Sequence, residues 1–297
     1  MSLLRVITWM RANDMLNPTL HDNTEITAWA LMVLGNAMLA TTALLAGMLG
    51  VLAPYGWVQD RNTGWKFSKL PKINSKLGWY IMELPALAAA IYAVSLTGIE
   101  GCAQRPLHLQ LAVIFYIAHY CNRGIVFPAQ RGRSDKFEPC ITFLLGAFFN
   151  SVNGYTLCRY VMHFGSGTEI DVATTWTWLG VGMFAFGVYV NTIADSRLME
   201  LSEQRHKIKA SKGNNIMPIV PGLFFMFEYV TAANYLGELI EWIGFLMMTW
   251  PSPASACFVW MTFCNLAPRA HAKHNIYLRE IPAYATLGRK ALIPFLW

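Results

Sequence analysis

The chain has 297 residues, of which 55% are hydrophobic and only 13% charged, and its formal net charge is +6. That balance, with 11 Trp, excludes an ordinary soluble domain and points to an all-α integral membrane protein that crosses the bilayer several times. In such a protein the basic excess marks cytoplasmic loops, so no nucleic-acid partner is expected.

Residues 1–25 begin MSLLRVITWMRANDMLNP and lack the basic start, long apolar core and small-residue cleavage site of a signal peptide. They read as an interfacial segment, a short amphipathic helix on the membrane surface. No Pro/Ser-rich linker divides the rest, so 26–297 reads as one membrane domain. Spans are expected near 26–53, 79–97, 107–128, 139–163 and 175–194. Two shorter ones follow near 237–250 and 252–267, broken at Pro251 and Pro253. On alternating sides, the segments 54–78, 129–138, 195–217 and the tail after Pro268 hold 18 of the 23 Lys and Arg, against three on the other face. That asymmetry implies seven transmembrane helices, N-terminus outside and C-terminus cytoplasmic. The six cysteines form no CxxC pair and fall mostly in apolar runs, which predicts free thiols.

Polar residues inside these spans carry the functional signal, because a charge at the bilayer centre costs about 2.5–3.5 kcal/mol on insertion scales. In chain order, the second span opens WYIMELP, placing Glu83 two residues before Pro85. The third ends HYCNR, with His119 and Arg123 at i, i+4 and Tyr120 on the adjacent face. The fourth carries Asn150, Asn153 and Arg159, for which helix–helix hydrogen bonding is the simplest account. At the end of the fifth, Asn191 and Asp195 are again i, i+4. The stretch EYVTAANYLGELIEWIGF sets Asn234, Glu238 and Glu241 on one helical face. The tail adds Arg269, His271, His274 and Tyr277, and ends on an apolar IPFLW expected to fold back onto the body.

Cations, amides and carboxylates gathered on one side suit a phosphorylated, ribose-bearing cofactor. Arginine forks such as Arg131 and Arg133 bind phosphate, carboxylates accept ribose hydroxyls, and Asn satisfies an amide. Deeper in, Glu83 and Tyr120 could hydrogen-bond a carbonyl in an apolar slot. A polar seam that merely staples helices stays open as the other reading of Asn234–Glu241. No GxGxxG follows a strand, and neither a Walker A loop nor a GxSxG elbow is present. His271 and His274 lack an HExxH or facial carboxylate–histidine set, so no metal is expected.

The motifs WYIMELP, HYCNR with QRGR, FNSVNGYTLCRY, NTIADSRLMEL, FEYVTAANYLGELIEWIGF, RAHAKHNIYL and RKALIPF occur in this order over about residues 79–297. In them the chain resembles the steroid 5-alpha-reductase (3-oxo-5-alpha-steroid 4-dehydrogenase) family. The resemblance implies seven membrane helices around a steroid-like enone, with NADPH entering from the cytoplasmic side. A hydride then attacks the β-carbon, charge builds on the carbonyl oxygen, and Glu83 and Tyr120 hold that oxygen. Desolvation favours the neutral form of a carboxyl, and only that form donates. The implied cofactor residues are Asn191, Asp195, Asn234, Glu238, Arg133, Arg269 and Tyr277, with Arg123, Arg197 and His274 in the same shell.

The chain departs from the family in its cofactor loop. The stretch from Asp195 to Asn234 is longer than in typical members, Ser202 stands where an arginine is expected, and a Gly-rich IPxGG turn reads IVPGLFF. Arg197 or Arg205 is expected to stand in for the missing arginine. Lys273 and His274 replace consecutive histidines, and AYA replaces DYP near Pro282.

The implied partners are an apolar steroid-like substrate and the lipid bilayer, with no obligate protein partner, in the endoplasmic reticulum or a bacterial inner membrane. Alternatives are a reductase of the same fold acting on a polyprenol or long-chain enoyl lipid, a membrane S-adenosylmethionine-dependent methyltransferase, and a non-enzymatic sterol-binding protein.

Overall fold

A computed structural model describes residues 3–18, 23–49, 70–130, 136–165, 175–212, 220–222 and 225–297. The long helices are α1 (Leu3–Ala12), α2 (Asn23–Met48), α3 (Ser75–Ser95), α4 (Leu107–Cys121), α5 (Cys140–Arg159), α6 (Thr175–Lys212), α7 (Ala233–Met248) and α8 (Pro253–Glu280). Helices α2 to α8 fall, in order, on the seven stretches expected to span. Among the described residues four stretches, Thr24–Met48, Ser75–Ser95, Leu107–Gln130 and Thr175–Arg205, are long and apolar enough to cross a membrane by length and composition. Their outward faces expose Leu31, Met38, Ile91, Ile114, Phe186 and Tyr189, side chains suited to lipid rather than water. The protein is thus an all-helical multi-pass membrane protein.

Two boundaries differ from the hydropathy reading. Helix α6 runs on to Lys212 because no Gly or Pro interrupts it after Gly187, and MELSEQRHK is rich in helix formers. Residues 269–280, expected as tail, continue α8 through Pro268. One lost backbone donor is tolerable in a helix supported by neighbours.

Two three-residue strands, β1 (Lys72–Asn74) and β2 (Phe137–Pro139), were not anticipated by the all-helical reading. They pair antiparallel, Lys72 opposite Pro139, and so hold the entrances of α3 and α5 together on one face of the bundle. Asn74 then caps α3, its side-chain oxygen accepting from the backbone of Lys76 (3.0 Å) and Leu77 (3.4 Å). At the other face Arg159 donates to both Glu25 oxygens (2.8 and 3.1 Å), and Arg105 donates to Val161 O and Gly165 O. The N-terminal segment, the 97–106 turn and the end of α5 therefore gather on one side. Helix α1 buries Ile7 and Met10 in the same core as Trp29.

Helices α6 and α7 approach through glycine. A Cβ at Gly187 would meet the backbone of Glu241, and one at Gly237 would meet that of Asn191. Only the absence of side chains lets these two backbones come so close, which sets Asn191 and Asp195 against Asn234. A second core around Phe227, Val230, Leu236, Ala270 and Leu292 receives the C-terminal residues. There Thr231 N donates to Lys290 O (2.8 Å) and Lys290 N to Tyr229 O (2.9 Å), so the tail folds back as expected. All six cysteines are free thiols.

Candidate active site

Glu83 lies on α3 two residues before Pro85, which cannot donate to the carbonyl four residues back. It is buried and makes no ion pair among the described residues. Its neighbour is Asn150 of α5, whose Nδ2 donates to Met82 O (2.7 Å) and to Glu83 Oε2 (3.3 Å). From the sequence, helix–helix hydrogen bonding is the simplest account of Asn150. It does join helices, and it also orients the carboxyl.

Tyr120, near the end of α4, is buried beside Tyr116, whose ring centroid is 4.7 Å away, with His119 at 4.9 Å and Trp242 at 6.2 Å. Its hydroxyl lies in the electrostatic field of Glu83, Glu238 and Glu241. Just past Tyr120 the helix widens into a π-helical turn, Asn122–Val126, of the kind common at functional sites. That turn carries Arg123.

Arg123 Nη1 donates to Asp195 Oδ2 at 2.8 Å, and its guanidinium packs over Phe127 (4.6 Å) and Trp79 (5.1 Å). Trp79 in turn donates to Arg123 O (2.9 Å), a role for the WYIMELP tryptophan that sequence alone did not expose. Asp195 Oδ1 accepts from Asn234 Nδ2 (3.0 Å), and Asn191 Nδ2 donates to Asn234 O (2.9 Å). Asn191, Asp195, Asn234 and Arg123 are thus one connected cluster, drawn from three helices. Glu238 stands one turn along from Asn234, in the field of Arg123 and His119.

One atom in this cluster is left over. Asn234 Oδ1 is buried and has no hydrogen-bond partner among the described residues. Leaving such an acceptor dry costs about 1–3 kcal/mol. It suits a ligand that brings an N–H donor, as a carboxamide does, and the flanking carboxylates suit hydroxyl groups.

The remaining expected residues are more dispersed. Arg269 is buried on α8, and Tyr277, two turns further, packs on Tyr284 (5.2 Å) with Lys273 Nζ 5.9 Å from its ring. Burial pushes the Lys273 ammonium down to about 8, against the pull of Asp195. Arg205 reaches Tyr277 electrostatically, whereas Arg197 donates to Glu200 along its own helix (2.8 Å). His274 Nδ1 shares a 2.6 Å hydrogen bond with Thr231 Oγ1, which also meets Tyr284 Oη. Glu241, on the same helical face as Asn234 and Glu238, is hydrogen-bonded to His119 Nδ1. The reason is geometric, since Glu241 faces α4 rather than α8. Arg131 and Arg133 lie outside the described residues.

Residues 136–297 match the family profile described as 3-oxo-5-alpha-steroid 4-dehydrogenase. The chain is 34% identical over 231 residues to the steroid 5-alpha-reductase DET2 of Solanum lycopersicum, covering 76% of this chain and 82% of that one. It is 30% identical over 227 residues to 3-oxo-5-alpha-steroid 4-dehydrogenase 1 of Homo sapiens, covering 76% and 82%. To 3-oxo-5-alpha-steroid 4-dehydrogenase 2 of Rattus norvegicus it is 31% identical over 269 residues, covering 89% and 95%.

Proposed function

This chain belongs to the steroid 5-alpha-reductase (3-oxo-5-alpha-steroid 4-dehydrogenase) family of oxidoreductases, and we propose that it reduces the 4,5 double bond of 3-oxo-4-ene steroids with NADPH. The observation that carries the reading is Glu83. A buried carboxyl with no ion pair among the described residues, held by Asn150 and close enough to Tyr120 to act on its hydroxyl, is costly unless it meets a polar ligand atom.

When bound, NADPH supplies the hydride. Asn191, Asp195, Asn234 and Glu238 would hold its nicotinamide and ribose, a fit supported by the open acceptor Asn234 Oδ1. Arg123 keeps Asp195 aimed at that wall. Arg269 and Tyr277, with Arg197 and His274 at the periphery, form the phosphate and adenine side, to which Lys273 and Arg205 add charge; Arg133 is assigned to the same role from the family resemblance alone. Glu83, as a neutral acid, and the Tyr120 hydroxyl donate hydrogen bonds to the steroid carbonyl oxygen. These bonds strengthen as negative charge develops there, which lowers the barrier. The surrounding Tyr116, Trp242 and Phe245 keep water out and raise the worth of each charge contact.

We further read seven spans, carried by α2 to α5, α6 up to Ala194, α7, and α8 up to Ala267, with the N-terminus outside and the C-terminus cytoplasmic. In its support, the β1–β2 pair brings Lys72 and Lys136, at the entrances of α3 and α5, to one face. Residues 1–25 form the interfacial segment, 26–297 form the reductase domain, and the membrane is the endoplasmic reticulum or a bacterial inner membrane.

The test is NADPH consumption by protein in detergent or lipid against a panel of 4-ene-3-one steroids, with products identified by mass. A product two mass units heavier is the expected result. Consumption with enoyl or polyprenol lipids only would transfer the reading to that substrate class. Stabilisation by S-adenosylmethionine, without turnover of NADPH, would overturn it.

A further inference from the structure

Two polar ties bolt α4 to the cofactor wall, one turn apart. The first is Arg123 to Asp195 and on to Asn234, which belongs to the proposed cofactor site. The second is His119 to Glu241, which neither the cofactor nor the carbonyl reading uses. Glu241 is only 1% exposed, and His119 holds it from the opposite helix. A buried carboxylate is retained in membrane at considerable cost, and such groups usually do something beyond filling space.

The geometry shows what this pair touches. The Glu241 carboxylate engages Nδ1, and a hydrogen bond at one ring nitrogen sets the orientation of the whole imidazole. The ring so fixed stands edge-on to Tyr120, at 4.9 Å and 72°, and edge-on to Trp242, at 4.7 Å and 63°. Trp242 also flanks Tyr120, at 6.2 Å, and Tyr116, at 5.9 Å. Tyr120 is therefore boxed by rings, and the one ring in that box whose angle is set by a charge is His119. On α7, Glu241 lies three residues beyond Glu238 and seven beyond Asn234, so the same tie fixes how far the cofactor wall stands from the tyrosine.

We propose that His119 and Glu241 are positioning residues that hold Tyr120 in register with the wall formed by Asn234 and Glu238. The pair acts through Tyr120 and touches neither substrate nor cofactor. This inference rests on the carbonyl role of Tyr120 proposed above.

The test is a double-mutant cycle on kcat and KM in the full-length protein, using His119→Ala, Glu241→Ala and the double variant. Misplacing a reacting group by a fraction of an ångström costs rate more than affinity, so each single change is expected to lower kcat roughly ten- to hundredfold. KM for NADPH is expected to stay within about threefold. The double variant should be no slower than the worse single one, because both remove the same tie. Glu241→Gln, which keeps an acceptor for Nδ1, should recover most of the lost kcat.

Independent, multiplying losses in the two singles would overturn the proposal, as would a Glu241→Ala variant with wild-type kcat. Should an alanine variant fail to fold, the pair His119→Phe and Glu241→Met removes both polar groups together while keeping volume. Folded protein of wild-type kcat would then overturn it. Glu83→Gln is run in parallel. Full activity there sinks the carbonyl reading itself, whereas an inactive Glu83→Gln beside uncoupled 119 and 241 sinks this inference alone.

Discussion

The Arg123 guanidinium and the Asp195 carboxylate meet at 2.8 Å across two helices that lie 72 residues apart in sequence. Both side chains are nearly buried, at 12% and 11% exposure, so the contact is shielded from water and salt. Through it the helix carrying Tyr120 is locked to the helix carrying Asn191, and Asn234 completes the chain on a third. Replacing Arg123 with Leu leaves the Asn234 amide as the hydrogen-bond partner of Asp195 among the described residues. We expect a loss of about 3 kcal/mol in stability and a weaker NADPH complex, measured by thermal unfolding with and without cofactor.

Glu83 separates chemistry from binding. In Glu83→Gln the shape and the Asn150 contact persist, but the acid is gone. Turnover should fall about 10²–10³-fold, while NADPH affinity changes little, as read by fluorescence titration. Undiminished turnover would remove Glu83 from the mechanism.

Gly237 has no room for even a methyl group, because a Cβ there meets the backbone of Asn191. Gly237→Ala must therefore push α6 and α7 apart. Overpacking of this kind costs about 1–3 kcal/mol, and it should raise KM for NADPH before it alters kcat. Gly182, on the same helix as Gly187 but with nothing within 4 Å, is the control, and Gly182→Ala should be neutral.

Lys273 gives a pH signature. Its ordinary value of 10.5 is pushed down to about 8 by burial, so the unfolded chain holds this proton more tightly than the folded one. Stability therefore rises with pH between about 8 and 10.5 on account of this residue. A Lys273→Met variant should gain stability over wild type at pH 7, and the gain should shrink towards pH 10. If the cation also serves the cofactor phosphates, wild-type affinity for NADPH should decline through the same range. Melting curves and titrations at the two pH values read both effects.

Thr231 ties the tail to the body. Its hydroxyl meets His274 Nδ1 and Tyr284 Oη, each at 2.6 Å, and Lys290 O at 3.1 Å. Thr231→Val keeps the shape but strands these partners. We expect a loss of about 1–3 kcal/mol and faster proteolysis near residues 285–297, followed by limited digestion.

Much of this protein is legible in its sequence. Apolar runs of bilayer length can be read locally, because a helix in lipid must satisfy its backbone within its own segment. The helices that formed lie where those runs lie. Intramembrane charges were equally visible, since Glu83, Asp195 and Glu238 stand out against an apolar background. The i, i+4 spacing rightly put Asn191 and Asp195 on one face.

What the sequence could not reveal was who answers each charge. Asn150 to Glu83, Arg123 to Asp195 and His119 to Glu241 join residues 67, 72 and 122 positions apart. No local period encodes such distances. They depend on which helix faces which, and that choice is made by backbone contacts such as Gly187 against Glu241 and Gly237 against Asn191. The sequence determined by itself that polar groups would be buried in a membrane bundle. Only the tertiary structure decided their partners, because a buried charge takes its partner from whatever close packing brings within hydrogen-bond reach.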